Sequence, residues 1–294
     1  MEKNFADGQK RVTIVTDSVA QVPEKLANQL DISVIPFSVQ INGQRFLDVV
    51  DLSPRQLYQR MRTEKIVPTT SAPSIGEYLA AFRSRLHAGS QAILHVALAS
   101  KLSSAYNNAC EAAKQACLEF PGSAIEVFDS RQVTISQGFI AIAAAKAAAE
   151  GEPLLEVLDV ARKASDRCGF AATLSSLEYL ARGGRIGKAA YLLGSVVDIK
   201  PILTVNDGIV TPVKIVRSNK HALHSIVDFV VQKSDGCRRL SIAIMSADDA
   251  EGASALKELA MQKMQPDELI EVEFTPVLGV HVGPGLIGMA YYFE

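Results

Sequence analysis

The feature that most restricts the fold of this chain is a rhythm. Through the first half, short apolar runs rich in β-branched residues alternate with longer segments of helical period. The runs "RVTIVT" (11–16), "ISVIPF" (32–37), "QAILHVAL" (91–98) and "AIEVFD" (124–129) read as buried strands. Between them lie "VPEKLANQL", with Pro23 at a helix start, and "SPRQLYQRMRTE", opened by a serine cap and a first-turn proline. "IGEYLAAFRSRLH" and "SAYNNACEAAKQACLEF" continue the pattern. Strands that alternate with helices build a mainly parallel sheet with helices on both faces. "VTISQGFIAIAAAKAAAE" is apolar nearly all round, which marks a helix buried on every side. A further helix reads from "PLLEVLDVARKASDRC".

Near residue 170 the rhythm changes. "SSLEYLARGGRIG" predicts a short helix with Ser175 and Glu178 as a capping box, stopped by Gly183 and Gly184. Asn206-Asp207-Gly208 between two apolar runs predicts a β-hairpin. Helices over 219–233 and 248–264 and strands over 240–246, 268–274 and the final "LIGMAYYFE" complete the chain. The expected fold is α/β in two domains. Residues 11–169 would form an α/β/α layered domain with a mainly parallel sheet, and residues 170–294 an α+β domain with a mixed sheet.

Composition narrows the function classes. The net charge of −2 gives no overall pull toward nucleic acid or an anionic membrane. The cysteines Cys110, Cys117, Cys168 and Cys237 have no metal or redox spacing and read as buried small hydrophobes. The opening MEKNFADGQK has no apolar core of a signal peptide, and "GFIAIAAAKAAA" is broken by Lys146 and too short for a bilayer. A cytoplasmic protein with no integral membrane segment is expected. Phosphate-loop, nucleophile-elbow and zinc-protease motifs are absent, and His221 and His224 lack further metal ligands. "GPGLIG" spells a dinucleotide-binding pattern, but no strand–helix unit follows it.

Polar side chains collect where the predicted strands end. The first strand runs into Asp17-Ser18, the strand at 91–98 into Ser100, Ser103 and Ser104, and that at 124–128 into Asp129-Ser130. "PTTSAPS" (68–74) adds Thr69, Thr70, Ser71 and Ser74 in a loop before a helix. Open parallel sheets bind ligands beyond the carboxyl ends of their strands, and helix N-termini there favour an anion. The same residues are also the ordinary N-caps of helices, so a loop with a cap and a cradle for a small anion both stand. Arg185 in "GGRIGKA" and His281 in "HVGPGLIG" are the charged and titratable candidates of the second half.

Taken together, "TDS", "PTTSAPS", "LSSAY", "FDS", "LEYLARGGRIG", "IKPIL" and "HVGPG" stand in the order and spacing of the DegV family, which the chain resembles from about Val12 to Phe293. That family comprises bacterial fatty-acid-binding proteins, including the FakB subunits of fatty acid kinase. The resemblance implies one long-chain fatty acid, such as palmitate, in a tunnel between two domains, and no cofactor. It implies that Thr70, Ser71 and Ser103 hold the carboxylate, with Arg185 and His281 near the same end. It also implies a non-enzyme that presents its ligand to an ATP-dependent kinase partner.

Four positions, in three motifs, depart from the family pattern. The usual LSGTY is Leu102-Ser103-Ser104-Ala105-Tyr106, the glutamine of TSQPS is Ala72, and the threonine of HTGPG is Val282. Two enzymatic alternatives follow from the same residues. One is a Ser–His–Asp hydrolase built from Ser103, His281 and Asp17 or Asp129. The other is a subunit similar to those of dihydroxyacetone kinases, which would hold a small keto substrate on a histidine.

Overall fold

The computed structural model describes residues 12–64, 66–194 and 199–294, so the opening MEKNFADGQK lies outside the described residues. β1 (Val12–Asp17) passes through a 3-10 turn at Ser18–Ala20 into α1 (Glu24–Gln29). β2 (Ser33–Ile35) follows, then β3 (Ser38–Ile41) and β4 (Gln44–Leu47). β3 and β4 form a hairpin because Asn42 and Gly43 both take positive φ at its turn. α2 (Pro54–Thr63) starts at a Ser53–Gln56 capping box. β5 (Thr69–Ser71) leads to α3 (Ile75–His87), capped reciprocally by Ser74 and Glu77. β6 (Ala92–Ala97), α4 (Ala105–Glu119), β7 (Ala124–Asp129), α5 (Ile135–Glu150) and α6 (Leu154–Asp166) end the first half.

β8 (Cys168–Thr173) and α7 (Glu178–Arg182) come next, then the hairpin of β9 (Lys200–Asn206) and β10 (Ile209–Val216). α8 (Asn219–Lys233), β11 (Leu240–Ala247), α9 (Ala250–Lys263), β12 (Glu268–Glu273), α10 (Pro276–Val282) and β13 (Leu286–Phe293) complete the described chain.

Three sheets result. The first has the order β2-β1-β6-β7 with all strands parallel, and the second the order β10-β9-β8-β13-β11-β12. Only β11 and β12 run parallel in the second sheet, which makes it mixed. The third is a small antiparallel sheet, β4-β3-β5. α5 explains how the larger two meet. It touches β1 and β6 on one side and β8 and β13 on the other. A helix between two sheets has no solvent face, and this is why its sequence lacks a polar stripe. One continuous apolar core runs through α5 and both sheets. A second, smaller core lies under α8 and α9 on the far face of the mixed sheet.

The structure corrects several expectations. Thr69–Ser71 is a strand rather than a loop, since it pairs with β3 and borrows that strand's hydrogen bonds. α7 has no Ser175–Glu178 box: Ser175 Oγ donates to Gly285 O instead, and Ser176 Oγ accepts from Glu178 N. Of the cysteines only Cys168 is buried; the other three are half-buried, and all four are free. The strand ends β1 and β7 do not offer their carboxylates to a ligand. Asp17 accepts from Tyr78 Oη (2.7 Å) and Leu98 N (3.0 Å) inside the core, and Asp129 accepts from Ser100 Oγ (2.5 Å).

Candidate functional site

The carboxyl ends of the first sheet face the second sheet, and a cavity of about 420 Å³ lies between them. Its size falls within the roughly 300–1,000 Å³ range of small-molecule sites. Thr70, Ser71, Ser103, Arg185 and His281 all line it, although they come from four separate stretches of sequence. Most of the remaining wall is apolar, with Phe37, Phe170, Leu203, Phe274 and Leu278 among its contributors. Ala72, Ser104 and Val282, three of the four positions that depart from the family pattern, also face this space.

The polar residues meet at one place. Thr70 is fixed by β5, where it stands opposite Val39 of β3. Its Oγ1 lies 2.9 Å from Nε2 of His281, in the last turn of α10. Arg185 follows α7 and donates from Nε to the carbonyl of Leu102 (3.0 Å), the residue before Ser103. Its Nη1 donates to Gly183 O (2.6 Å). Both bonds go to carbonyls, so its positive charge has no carboxylate among these partners. Ser103 Oγ accepts from Ala105 N (3.2 Å), at the start of α4, which leaves its proton to donate elsewhere.

Close packing brings His281 there. Gly183 sits directly against the imidazole, and any side chain at 183 would overlap Nδ1. Gly283 ends α10 with φ +69° and packs against the Tyr179 ring, where a Cβ would collide. Burial and, secondarily, the Arg185 charge push the His281 pKa down to about 4, so the imidazole is neutral near pH 7. Its Nδ1 is buried without a hydrogen-bond partner among the described residues.

A second recess of about 180 Å³ lies outside this point and shares Thr70, Arg185 and His281 with the cavity, adding Tyr179 and Arg182. Thr70, His281 and Arg185 therefore line both the cavity and the recess.

The hydrolase alternative finds no support in this geometry. A triad needs a carboxylate on Nδ1 of the histidine, and that atom has none. Asp17 is consumed by Tyr78 and Leu98, and Asp129 by Ser100. What sequence reasoning missed is most of the cavity's apolar wall and the helix α10 that carries His281. "PVLGVHV" is short, rich in valine and apolar apart from His281, so it shows neither helical nor strand periodicity. Its only helix signal is Pro276 at the first position after Thr275.

Comparison with known proteins agrees with the fold. The sequence model described as "Uncharacterised protein, DegV family" matches residues 11–294. A DegV domain-containing protein of Clostridium acetobutylicum is 34% identical over 283 residues, covering 96% of this chain and 98% of that protein. One of Listeria monocytogenes is 31% identical over 288 residues, covering 96% and 98%. Among solved structures, a DegV family protein from Thermus thermophilus described by its fatty acid binding superposes with TM-score 0.89 at 29% identity, over 97% of this chain and all (100%) of that one. DegV of Bacillus subtilis, described as a fatty acid binding protein, gives TM-score 0.86 at 26% identity over 97% and 100%. A stearic-acid-binding protein from Eubacterium ventriosum gives 0.88 at 25% over 96% and 98%. The fold, the spacing of the motifs and the match along nearly the whole length lead to one conclusion: this chain belongs to the DegV family.

Proposed function

We propose that the protein binds a single long-chain fatty acid in the cavity between its sheets and presents the carboxylate to a partner kinase for acyl-phosphate formation. The observation that carries this reading is the make-up of the cavity wall. The Thr70–His281 pair and Arg185, bonded to the residue before Ser103, stand in a wall that is otherwise mainly apolar. A ligand with one charged end and a long hydrocarbon tail matches that wall. The solved relatives described as fatty acid binding supply the same class of ligand.

The head group fixes a proton position. A carboxylate only accepts hydrogen bonds, so Thr70 must keep its own proton for the ligand. Thr70 Oγ1 then accepts from His281, which requires the Nε2–H tautomer of the neutral ring. His281 thereby acts through Thr70 as a positioning residue. Thr70, Ser71 and Ser103 donate to the carboxylate, and Arg185 stands near the same end. Presentation to a kinase is supported by the shared residues, because the head group would sit beside a second recess that Arg182 and Arg185 border. An acyl phosphate brings additional oxygens, and guanidinium groups match them with paired donors.

The keto-subunit reading asks for an imidazole nitrogen free to attack a substrate carbonyl. Nε2 is engaged with Thr70 and Nδ1 is packed against Gly183, which disfavours it. Native mass spectrometry of the purified protein separates the two. A fatty acid mass, one per chain and lost on denaturation, is expected; a small covalent adduct on His281 would replace this reading with the keto-subunit one.

A further inference from the structure

The helix that carries His281 has only seven residues, Pro276–Val282, too few to hold its own position. Two hydrogen bonds fasten it to the small sheet β4-β3-β5 and its flank. One is the bond from His281 to Thr70 of β5 at its C-terminal end. The other lies one helical turn earlier, where Val277 N donates to Oδ1 of Asp48 (2.9 Å), the residue after β4. Asp48 is fully buried, at 0% exposure. Its Oδ2 accepts from Ser18 Oγ (2.7 Å), and Ser18 Oγ in turn accepts from Phe37 N (3.1 Å). Its own N–H donates to Phe37 O (2.9 Å). One carboxylate thus ties together the turn bearing Val19, the segment bearing Phe37 and the helix bearing Val277, and all three of those side chains line the cavity.

A buried carboxylate is costly unless each oxygen is satisfied, and burial pushes this one above the usual carboxylate range against the opposing Ser18 and Val277 bonds. An apolar side chain would fill the same place without that cost. The carboxylate makes sense as an acceptor that sets where α10 lies along its axis. Because Asp48 directly follows β4 and Thr70 lies in β5 of the same sheet, fixing α10 at Asp48 also fixes the distance from His281 to Thr70.

We infer that Asp48 is a positioning residue for the head-group site, holding α10 so that His281 stays on Thr70 and the Val19, Phe37 and Val277 walls keep their spacing. This rests on reading the cavity as a carboxylate site, so the test includes a readout that needs no ligand. That readout is the imidazole ¹⁵N signature of His281, followed with titration, alongside palmitate affinity. In Asp48→Ala, His281 is expected to lose the Thr70-bonded signature and titrate nearer the ordinary histidine range, and palmitate affinity to fall about tenfold or more. Asp48→Asn keeps an acceptor oxygen for Val277 and is expected to restore the signature, with affinity within about threefold of the parent. A folded Asp48→Ala protein with unchanged His281 resonances would overturn the inference, as would an Asn variant as damaged as the Ala one. Should Asp48→Ala not fold, hydrogen exchange in the parent protein decides: Val277 N–H is expected to be strongly protected, and exchange as fast as an exposed amide would overturn the tie. Should palmitate bind to no variant and not to the parent, the proposed function fails while the His281 readout still judges Asp48.

Discussion

Gly183→Ala is the substitution that tests the packing of the site most sharply. Gly183 has φ −73° and ψ −8°, a conformation any residue adopts, so alanine brings no backbone strain. The consequence comes from space alone. A Cβ at 183 would lie well under 3.0 Å from His281 Nδ1, and 3.1 Å from Cε1. The Tyr179 carbonyl stands 3.3 Å away, so the backbone cannot retreat in that direction. The imidazole must move, and the Thr70 bond of 2.9 Å goes with it. Overpacking of this kind costs roughly 1–3 kcal/mol. Replacing glycine by alanine in a permitted conformation returns about 0.4–1 kcal/mol through the unfolded state. A net loss of about 1–2 kcal/mol is expected, with palmitate affinity down about tenfold as Thr70 loses its orienting partner. The assay is a double-mutant cycle with His281→Ala, read by urea denaturation. In the His281→Ala background the clash is gone, and Gly183→Ala should be neutral or stabilising by up to about 1 kcal/mol. Equal destabilisation in both backgrounds would refute the account, because the loss would then not arise from the imidazole.

Other outcomes follow from the same geometry. Ser103→Ala should weaken palmitate binding by about tenfold or more, since a hydrogen bond to a charged group contributes roughly 1.5–3 kcal/mol; calorimetry on the folded variant checks it. Affinity should rise with chain length by about 0.8 kcal/mol per buried CH₂ until the cavity is filled, and equal affinity for eight- and sixteen-carbon acids would contradict an enclosed tail. Arg185→Ala should leave fatty acid affinity within a few-fold while greatly slowing acyl-phosphate formation with an added kinase and ATP, measured side by side. The depressed His281 pKa of about 4 keeps the folded ring neutral where the unfolded ring already binds a proton, so stability should fall as pH drops from about 6.5 toward 4, on the order of 3 kcal/mol in total. Denaturation at pH 7 and 4.5 should show most of that loss in the parent and not in His281→Leu. Val49, a β-branched residue at φ +57°, is strained, and Val49→Gly should raise stability by about 1 kcal/mol in thermal unfolding.

The parallel sheet was legible because β1, β6 and β7 are short runs rich in apolar residues and separated by helical patterns, and α5 because a helix between two sheets carries no polar stripe. β8 was not, since "CGFAAT" is small-residued and lacks β-branched side chains before its final threonine. β5 was hidden for another reason: it is short, polar and at the edge of a three-stranded sheet, so its strand character comes from β3 and not from its own residues. At the site, Arg185 and His281 stood out by their glycine settings, and the hydroxyls by their positions after strands. The bond between Thr70 and His281, 211 residues apart, has no local trace. Nor does the tail's cavity, because Phe274, Val277 and Leu278 are the residues any core would use. Asp48 is the opposite case, an acid in a surface-like stretch that the fold buries completely.

The central claim is that a fatty acid carboxylate sits at the hydroxyl end of the cavity with its tail inside. A crystal structure of the protein with bound palmitate tests this most directly. The account predicts carboxylate oxygens within hydrogen-bonding distance, roughly 2.5–3.0 Å, of the hydroxyls of Thr70 and Ser103, with the tail running past Phe170, Phe274 and Leu278. A tail in solvent, a carboxylate at the opposite end of the cavity, or an empty cavity at saturating palmitate would contradict it.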